Sequence, residues 1–169
     1  MTEVRHDLGP ARVFLPEAQG KPGSRTFRLI VEAPRGKASV WIEKGQLSAL
    51  ALQLKAFMES KAAARDKGKM PEGVAVRNRD FEFKAASLGI AYREQEDFFG
   101  ILAADEEDSQ AKRVTLGWWV TREQGDRFVT QAVEVVSAGR PSCPLCHEPM
   151  NPEGHACAKA NGHGKANAW

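Results

Sequence analysis

The sequence predicts an α+β fold in which two helices cover an antiparallel sheet. Three observations carry that expectation: short β-rich runs broken by Gly/Pro turns, two stretches with apolar residues at helical spacing, and a strands-then-helix order that occurs twice. A chain of 169 residues can bury one good core beside a small satellite module, and 42% hydrophobic with 27% charged residues is ordinary for a soluble globular protein.

Residues 12–15, 26–31 and 38–42 are rich in β-branched and aromatic side chains, and Gly20-Lys21-Pro22-Gly23 and Pro34-Arg35-Gly36-Lys37 between them are turn signals. They are expected as antiparallel strands. Leu47, Leu50, Ala51, Leu54, Phe57 and Met58 follow at steps of three and four, which places them on one face of a helix over 44–61. Residues 62–80 are polar and aperiodic, with Gly68, Pro71 and Gly73 as breakers, and are expected as a mobile connection. Further candidate strands are 81–83, 88–92, 98–102 and 114–120. Phe128, Val129, Ala132, Val135 and Val136 then form a second helical seam. Thr121 and Gln124 match a capping box at its start, and Gly139 sits where a helix stop belongs.

Superposing Trp41-Ile42-Glu43-Lys44 on Trp119-Val120-Thr121-Arg122 also aligns Gln46 with Gln124, Leu50 with Phe128, Ala51 with Val129 and Leu54 with Ala132. Residues 10–61 and 80–139 therefore read as possible repeats. Two unrelated amphipathic helices following strands would align as well, and both readings stay open. The expected organisation is an α+β domain over 1–139, a zinc knuckle over 140–163 and a flexible end over 164–169.

Composition narrows the functional classes. A net charge of +2 does not by itself imply a nucleic-acid partner, which normally needs a concentrated positive face. Met1-Thr2-Glu3-Val4-Arg5-His6-Asp7 lacks the apolar core of a secretory signal, and no apolar run approaches bilayer-spanning length, so a cytoplasmic protein without membrane association is expected. All three cysteines fall between residues 143 and 157, and an odd, clustered count favours a metal over a disulfide framework.

The cysteine cluster is the one stretch whose spacing specifies chemistry. Cys143-Pro-Leu-Cys146 brings two sulfurs to one tetrahedral ion, Cys157 supplies a third, and Zn²⁺ suits this mix of thiolate and imidazole donors. A structural zinc closes with a fourth ligand. His155, which makes a compact pair with Cys157, is favoured, and His163 is the alternative. A redox Cys-x-x-Cys would open a helix after a strand, whereas this pair follows a helix and is trailed by Pro149, Asn151, Pro152 and Gly154. The zinc-deaminase pattern fails, because His6-Asp7-Leu8 lacks the required glutamate. No catalytic residues are assigned.

Gly139-Arg140-Pro141-Ser142-Cys143-Pro144-Leu145-Cys146, then Asn151-Pro152-Glu153-Gly154-His155-Ala156-Cys157 and Asn161-Gly162, resemble the C-terminal signature of domain-of-unknown-function family 3090, a bacterial group. Gly23-Ser24-Arg25-Thr26-Phe27 and Glu43-Lys44-Gly45-Gln46-Leu47 resemble weaker features of the same family. The resemblance implies no established activity. The chain departs from the family pattern at His147, where glycine usually follows the second cysteine.

Lys61, Arg65, Lys67, Lys69, Arg77 and Arg79 make the connecting segment basic, and Glu94, Glu96, Asp97 and the run from Asp105 to Asp108 make the following region acidic. Such runs ordinarily form solvated loops. The basic residues are also the candidate contacts to single-stranded nucleic acid, with Trp41, Trp118 and Trp119 as stacking platforms, although at least one of the adjacent tryptophans must face the core. The expected function is zinc-supported recognition of a protein or nucleic-acid partner. The alternative is an enzyme using the cleft between the repeats, or a metal-dependent hydrolase.

Overall fold

Strand positions follow the alternation of apolar and polar residues, and pairing partners follow from what each strand can bury. The computed structural model describes residues 3–61, 78–139, 142–148, 150, 155–159 and 165–166. After β1 (Val4–Pro10), three strands form an antiparallel meander: β2 (Val13–Gln19), β3 (Thr26–Ala33) and β4 (Gly36–Ile42). In β3, Phe27, Leu29, Val31 and Ala33 are buried, whereas Arg28, Ile30 and Glu32 point the other way. Helix α1 (Lys44–Ser60) follows, burying Leu47, Leu50, Ala51, Leu54 and Met58 as the spacing requires.

The second half has the same order. After β5 (Asp80–Lys84), the strands β6 (Ser87–Arg93), β7 (Phe98–Ala104) and β8 (Val114–Thr121) form another antiparallel meander. Helix α3 (Arg122–Ser137) follows β8, and the short α2 (Glu106–Gln110) lies between β7 and β8. Thr121 caps α3 through the expected box with Gln124. Of the connection expected over 62–80, residues 62–77 lie outside the described residues, and Asp80 already belongs to β5.

The expectation of one antiparallel sheet is refined to two mixed sheets, ordered β2-β3-β4-β5 and β1-β8-β7-β6. In each, the fourth strand comes from the other half: β5 lies parallel to β4, and β1 lies parallel to β8. The backbone N–H of Ala11 donates to the carbonyl of Trp119 at 2.7 Å, and that of Ala85 donates to the carbonyl of Trp41 at 2.9 Å. Both alanines are buried. Strand β1 has no counterpart among the strands expected from the sequence. Its partner lies over a hundred residues away, and a short run ending in Gly-Pro carries no local sign of a pairing made at such a distance.

One core joins the inner faces of both sheets to α1 and α3. Phe14 stacks on Phe128 with centroids 4.2 Å apart, and Trp118 meets Phe14 edge-on at 5.6 Å. The helices meet at Gly125, where a Cβ would come within 2.6 Å of Met58 Sδ. The C-terminal turn of α1 is tied to the second half by Arg122, whose guanidinium donates to the carbonyls of Met58 and Lys61 at 2.6 and 3.1 Å. It also grips Asp97 through two hydrogen bonds of 2.8 and 3.0 Å.

The acidic run contains α2, not only solvated loop. Asp105 caps α2 by accepting the N–H of Asp108 at 2.8 Å. The Asp108 carboxylate is buried and accepts hydrogen bonds from Thr115 at 2.9 Å, Arg113 at 3.1 Å and Arg5 at 3.2 Å. A charge run read along the sequence does not reveal that one member faces inward to three donors. Among the described residues, no helix is long and apolar enough to cross a membrane.

Candidate metal centre

Past Gly139, the backbone doubles back on itself around Cys143. The N–H of Cys143 donates to the Glu148 carbonyl at 2.8 Å, and the N–H of His147 donates to the Cys143 carbonyl at 2.9 Å. Closing that turn puts His147 at φ +62°, the left-handed region that glycine enters without strain. The knuckle therefore forms despite the histidine. The Leu145 N–H also points at Cys143 Sγ, 3.4 Å away.

The second pair of donors sits on the strand β9 (His155–Ala156) and the residue after it. β9 pairs antiparallel with β10 (Lys165–Ala166), within the segment expected as a flexible end. Adjacent residues on a strand point to opposite faces, while His155 and Cys157 share one. Their side chains thus reach the first two sulfurs together.

One donor atom each from Cys143, Cys146, His155 and Cys157 lies within 4.8 Å of the others, a group that can hold a metal ion. Cys143 Sγ and Cys157 Sγ are 3.8 Å apart, which matches the edge of about 3.8 Å of a tetrahedron with metal–sulfur bonds of about 2.3 Å. Cys146 Sγ and His155 Nε2 are 3.2 Å apart. The corresponding sulfur–nitrogen edge is about 3.6 Å, so a central ion would move the imidazole outward by a few tenths of an ångström. Cys143, Cys157 and Met150 are buried together, in a cluster separate from the main core. Met150, the apolar support beneath the sulfurs, was missed in the sequence, where it stands alone between prolines.

The sulfurs are electrostatically unequal. The Cys146 N–H, against the opposing effect of burial and with help from the Leu145 N–H, holds the Cys143 thiol below its usual pKa. At Cys146 the Glu148 N–H favours the thiolate, but burial and the neighbouring Cys157 and Cys143 sulfurs leave the thiol raised. Charge on the Cys143 sulfur thus opposes a second thiolate at Cys146. A divalent cation at the centre would remove that conflict. His155 Nδ1 is buried and has no hydrogen-bond partner among the described residues.

His155 is the histidine brought to the sulfurs, while His163 lies outside the described residues. So do Arg65, Lys67, Lys69 and Arg77 of the basic stretch. Lys61 Nζ lies over the Phe57 and Tyr92 rings at 5.2 and 5.4 Å, and the Arg79 guanidinium lies over Phe81 at 5.2 Å. Both cations therefore pack on rings of this chain. Trp118 is buried, whereas Trp119 faces outward beneath Arg93 at 3.8 Å and Trp41 carries Arg28 at 5.3 Å.

No curated protein and no solved structure matches the chain. The family described as "Protein of unknown function (DUF3090)" matches residues 6–157, a span that takes in both meanders and all four clustered donors, and the chain belongs to that family.

Proposed function

We propose that this protein is a zinc-ordered interaction module without enzymatic activity of its own. The observation that carries the reading is the convergence of three sulfurs and one imidazole within 4.8 Å. Three thiolates and a neutral imidazole suit Zn²⁺, and four protein ligands make a closed, structural site. Among the described residues of this short segment the buried apolar cluster is Cys143, Met150 and Cys157, so metal coordination replaces the larger hydrophobic core. The result is a rigid knuckle with Leu145 49% exposed, an apolar contact suited to a protein partner.

The alternative, an enzyme in the cleft between the repeats or a metal-dependent hydrolase, requires convergent acid and base groups or a metal position open to water. Four protein donors favour the closed site. The groove of about 380 Å³ between α1 and α3 is lined mainly by apolar side chains, among them Leu52, Val129, Ala132 and Val133.

Metal analysis of the purified, reduced protein should return one zinc per chain, and a Cys143→Ser, Cys146→Ser variant should return none. Partner capture with the two proteins then tests recognition, and binding of single-stranded nucleic acid across a salt series tests the other partner class. Equal partner recovery from the zinc-free variant would remove the knuckle from recognition, and absence of stoichiometric metal would remove the module itself.

A further inference from the structure

A cavity of about 330 Å³ opens where the start of β3, the ends of β4 and β5, and the first turn of α1 meet. None of the four clustered donors lines it. Its charged lining is Arg25, Lys44, Lys84 and Glu43, three cations against one carboxylate, which gives the lining a net charge of +2 at neutral pH. Glu43 is already paired with Lys84 at 2.5 Å. Lys44 makes no ion pair among the described residues. Arg25 is set in place by the fold: its guanidinium donates to the Val135 carbonyl at 2.9 Å and lies 5.3 Å from the centroid of the Phe27 ring.

The space between two of the cations depends on a missing side chain. A Cβ on Gly139 would lie 3.5 Å from Lys44 Nζ and 3.7 Å from Arg25 Nη1. A side chain at 139 would thus begin at contact distance from both cations. Trp41 forms another part of the wall and is held by its indole N–H, which donates to Glu82 Oε1 at 2.9 Å.

Cations gathered around a concave site at a surplus of two are matched by a dianion that accepts several hydrogen bonds. A phosphate monoester carries about −1.5 to −2 charges at neutral pH and accepts from both arginine and lysine, whereas a single carboxylate would leave half the surplus uncompensated. An indole at the wall favours a ligand with a planar ring, because every nucleobase offers a face for stacking. The volume lies at the small end of the roughly 300–1,000 Å³ range of small-molecule sites, which suits one nucleotide.

We propose that this cavity binds a nucleotide phosphate monoester, with the phosphate among Arg25, Lys44 and Lys84 and the base against Trp41. The ligand is a free mononucleotide or the 5′-phosphorylated end of a strand. The site goes beyond the metal-ordered module and does not depend on it.

Calorimetric titration of the full-length, metal-loaded protein with adenosine monophosphate, adenosine, inorganic phosphate, and 5′-phosphorylated and 5′-hydroxyl oligonucleotides tests the assignment. Adenosine monophosphate should bind more tightly than adenosine or phosphate alone. Lys44→Ala, a change at an exposed position, should weaken it by at least about tenfold. Trp41→Leu should weaken the nucleotide while leaving phosphate binding unchanged, and Gly139→Leu should block both, with unliganded melting curves confirming that each variant is folded. Tighter binding of the 5′-phosphorylated strand than of the mononucleotide identifies a strand end as the source, and the reverse order identifies the free nucleotide. Absence of binding by every phosphate at millimolar concentration, equal binding of adenosine and its monophosphate, or wild-type affinity in folded Lys44→Ala and Gly139→Leu variants would overturn the proposal.

Discussion

Gln124 donates its side-chain amide to the carbonyl of Ala11 at 2.7 Å, across 113 residues of sequence. With its oxygen it accepts the backbone N–H of Thr121 at 2.9 Å. Gln46 repeats both contacts in the other half, donating to Ala85 at 3.2 Å and accepting from Glu43 at 2.7 Å. Each glutamine joins the start of a helix to the end of the strand inserted beside it, β1 or β5. The two halves are therefore topological equivalents that exchange their first strands.

Gln124→Ala removes an acceptor for a helix cap and a donor for a partly buried carbonyl at once. It should destabilise the protein by about 2 kcal/mol, and Gln46→Ala, whose contacts are more exposed, by about 1 kcal/mol. Urea denaturation followed by circular dichroism checks the order of the two effects. Equal stability of wild type and Gln124→Ala would mean that this junction does not hold the exchanged strand.

Gly125 permits the close crossing of α1 and α3, with Met58 Sδ where a Cβ would come to 2.6 Å. Gly125→Ala should cost about 1–3 kcal/mol through overpacking, although alanine is the better helix former. A second substitution, Met58→Leu, moves the obstructing atom and should recover part of the loss in thermal melts.

His147 holds a left-handed conformation at φ +62° in the knuckle. Glycine relieves that strain, so His147→Gly should stabilise the folded knuckle by about 1 kcal/mol and raise metal affinity by about fivefold in chelator competition. His147→Val should do the opposite. Unchanged affinity in both variants would show that the turn is not coupled to the metal.

Asp108 gives a pH dependence with a defined sign. Burial favours its neutral form, but hydrogen bonds from Thr115, Arg5 and Arg113, with the charge of Arg5, outweigh burial and hold its pKa below the usual carboxylate value. Its contribution to stability is thus fully present above the unfolded pKa and is lost as the pH falls through the folded one. Asp108→Asn should melt well below wild type at neutral pH, and the gap should narrow progressively below about pH 4. A gap that stays constant or widens in acid would contradict this assignment.

Metal removal should act locally. After chelation, hydrogen exchange at Ala156 and Cys157 should accelerate, while β7 and β8, paired within the β1-β8-β7-β6 sheet, keep their protection. Uniform acceleration through both regions would show that the ion also supports the main core.

The sequence by itself determined what depends on neighbours along the chain. The stripe from Leu47 to Met58 located α1, the Thr121–Gln124 pair marked the start of α3, and Cys-x-x-Cys with His-x-Cys announced the donor set, because helix faces, caps and ligand turns are built over a few residues. The similarity between Gln46 and Gln124 was visible there too, but what each amide holds was not. Only the tertiary structure decided that β1 and β5 cross to the opposite sheets, that Asp108 turns inward within an acidic run, and that Arg25, Lys44 and Lys84 share one cavity. Each of those outcomes involves residues distant in sequence, in the case of Asp108 through Arg5. Their energies come from burial and pairing that exist only once the core has closed, and no local pattern encodes them.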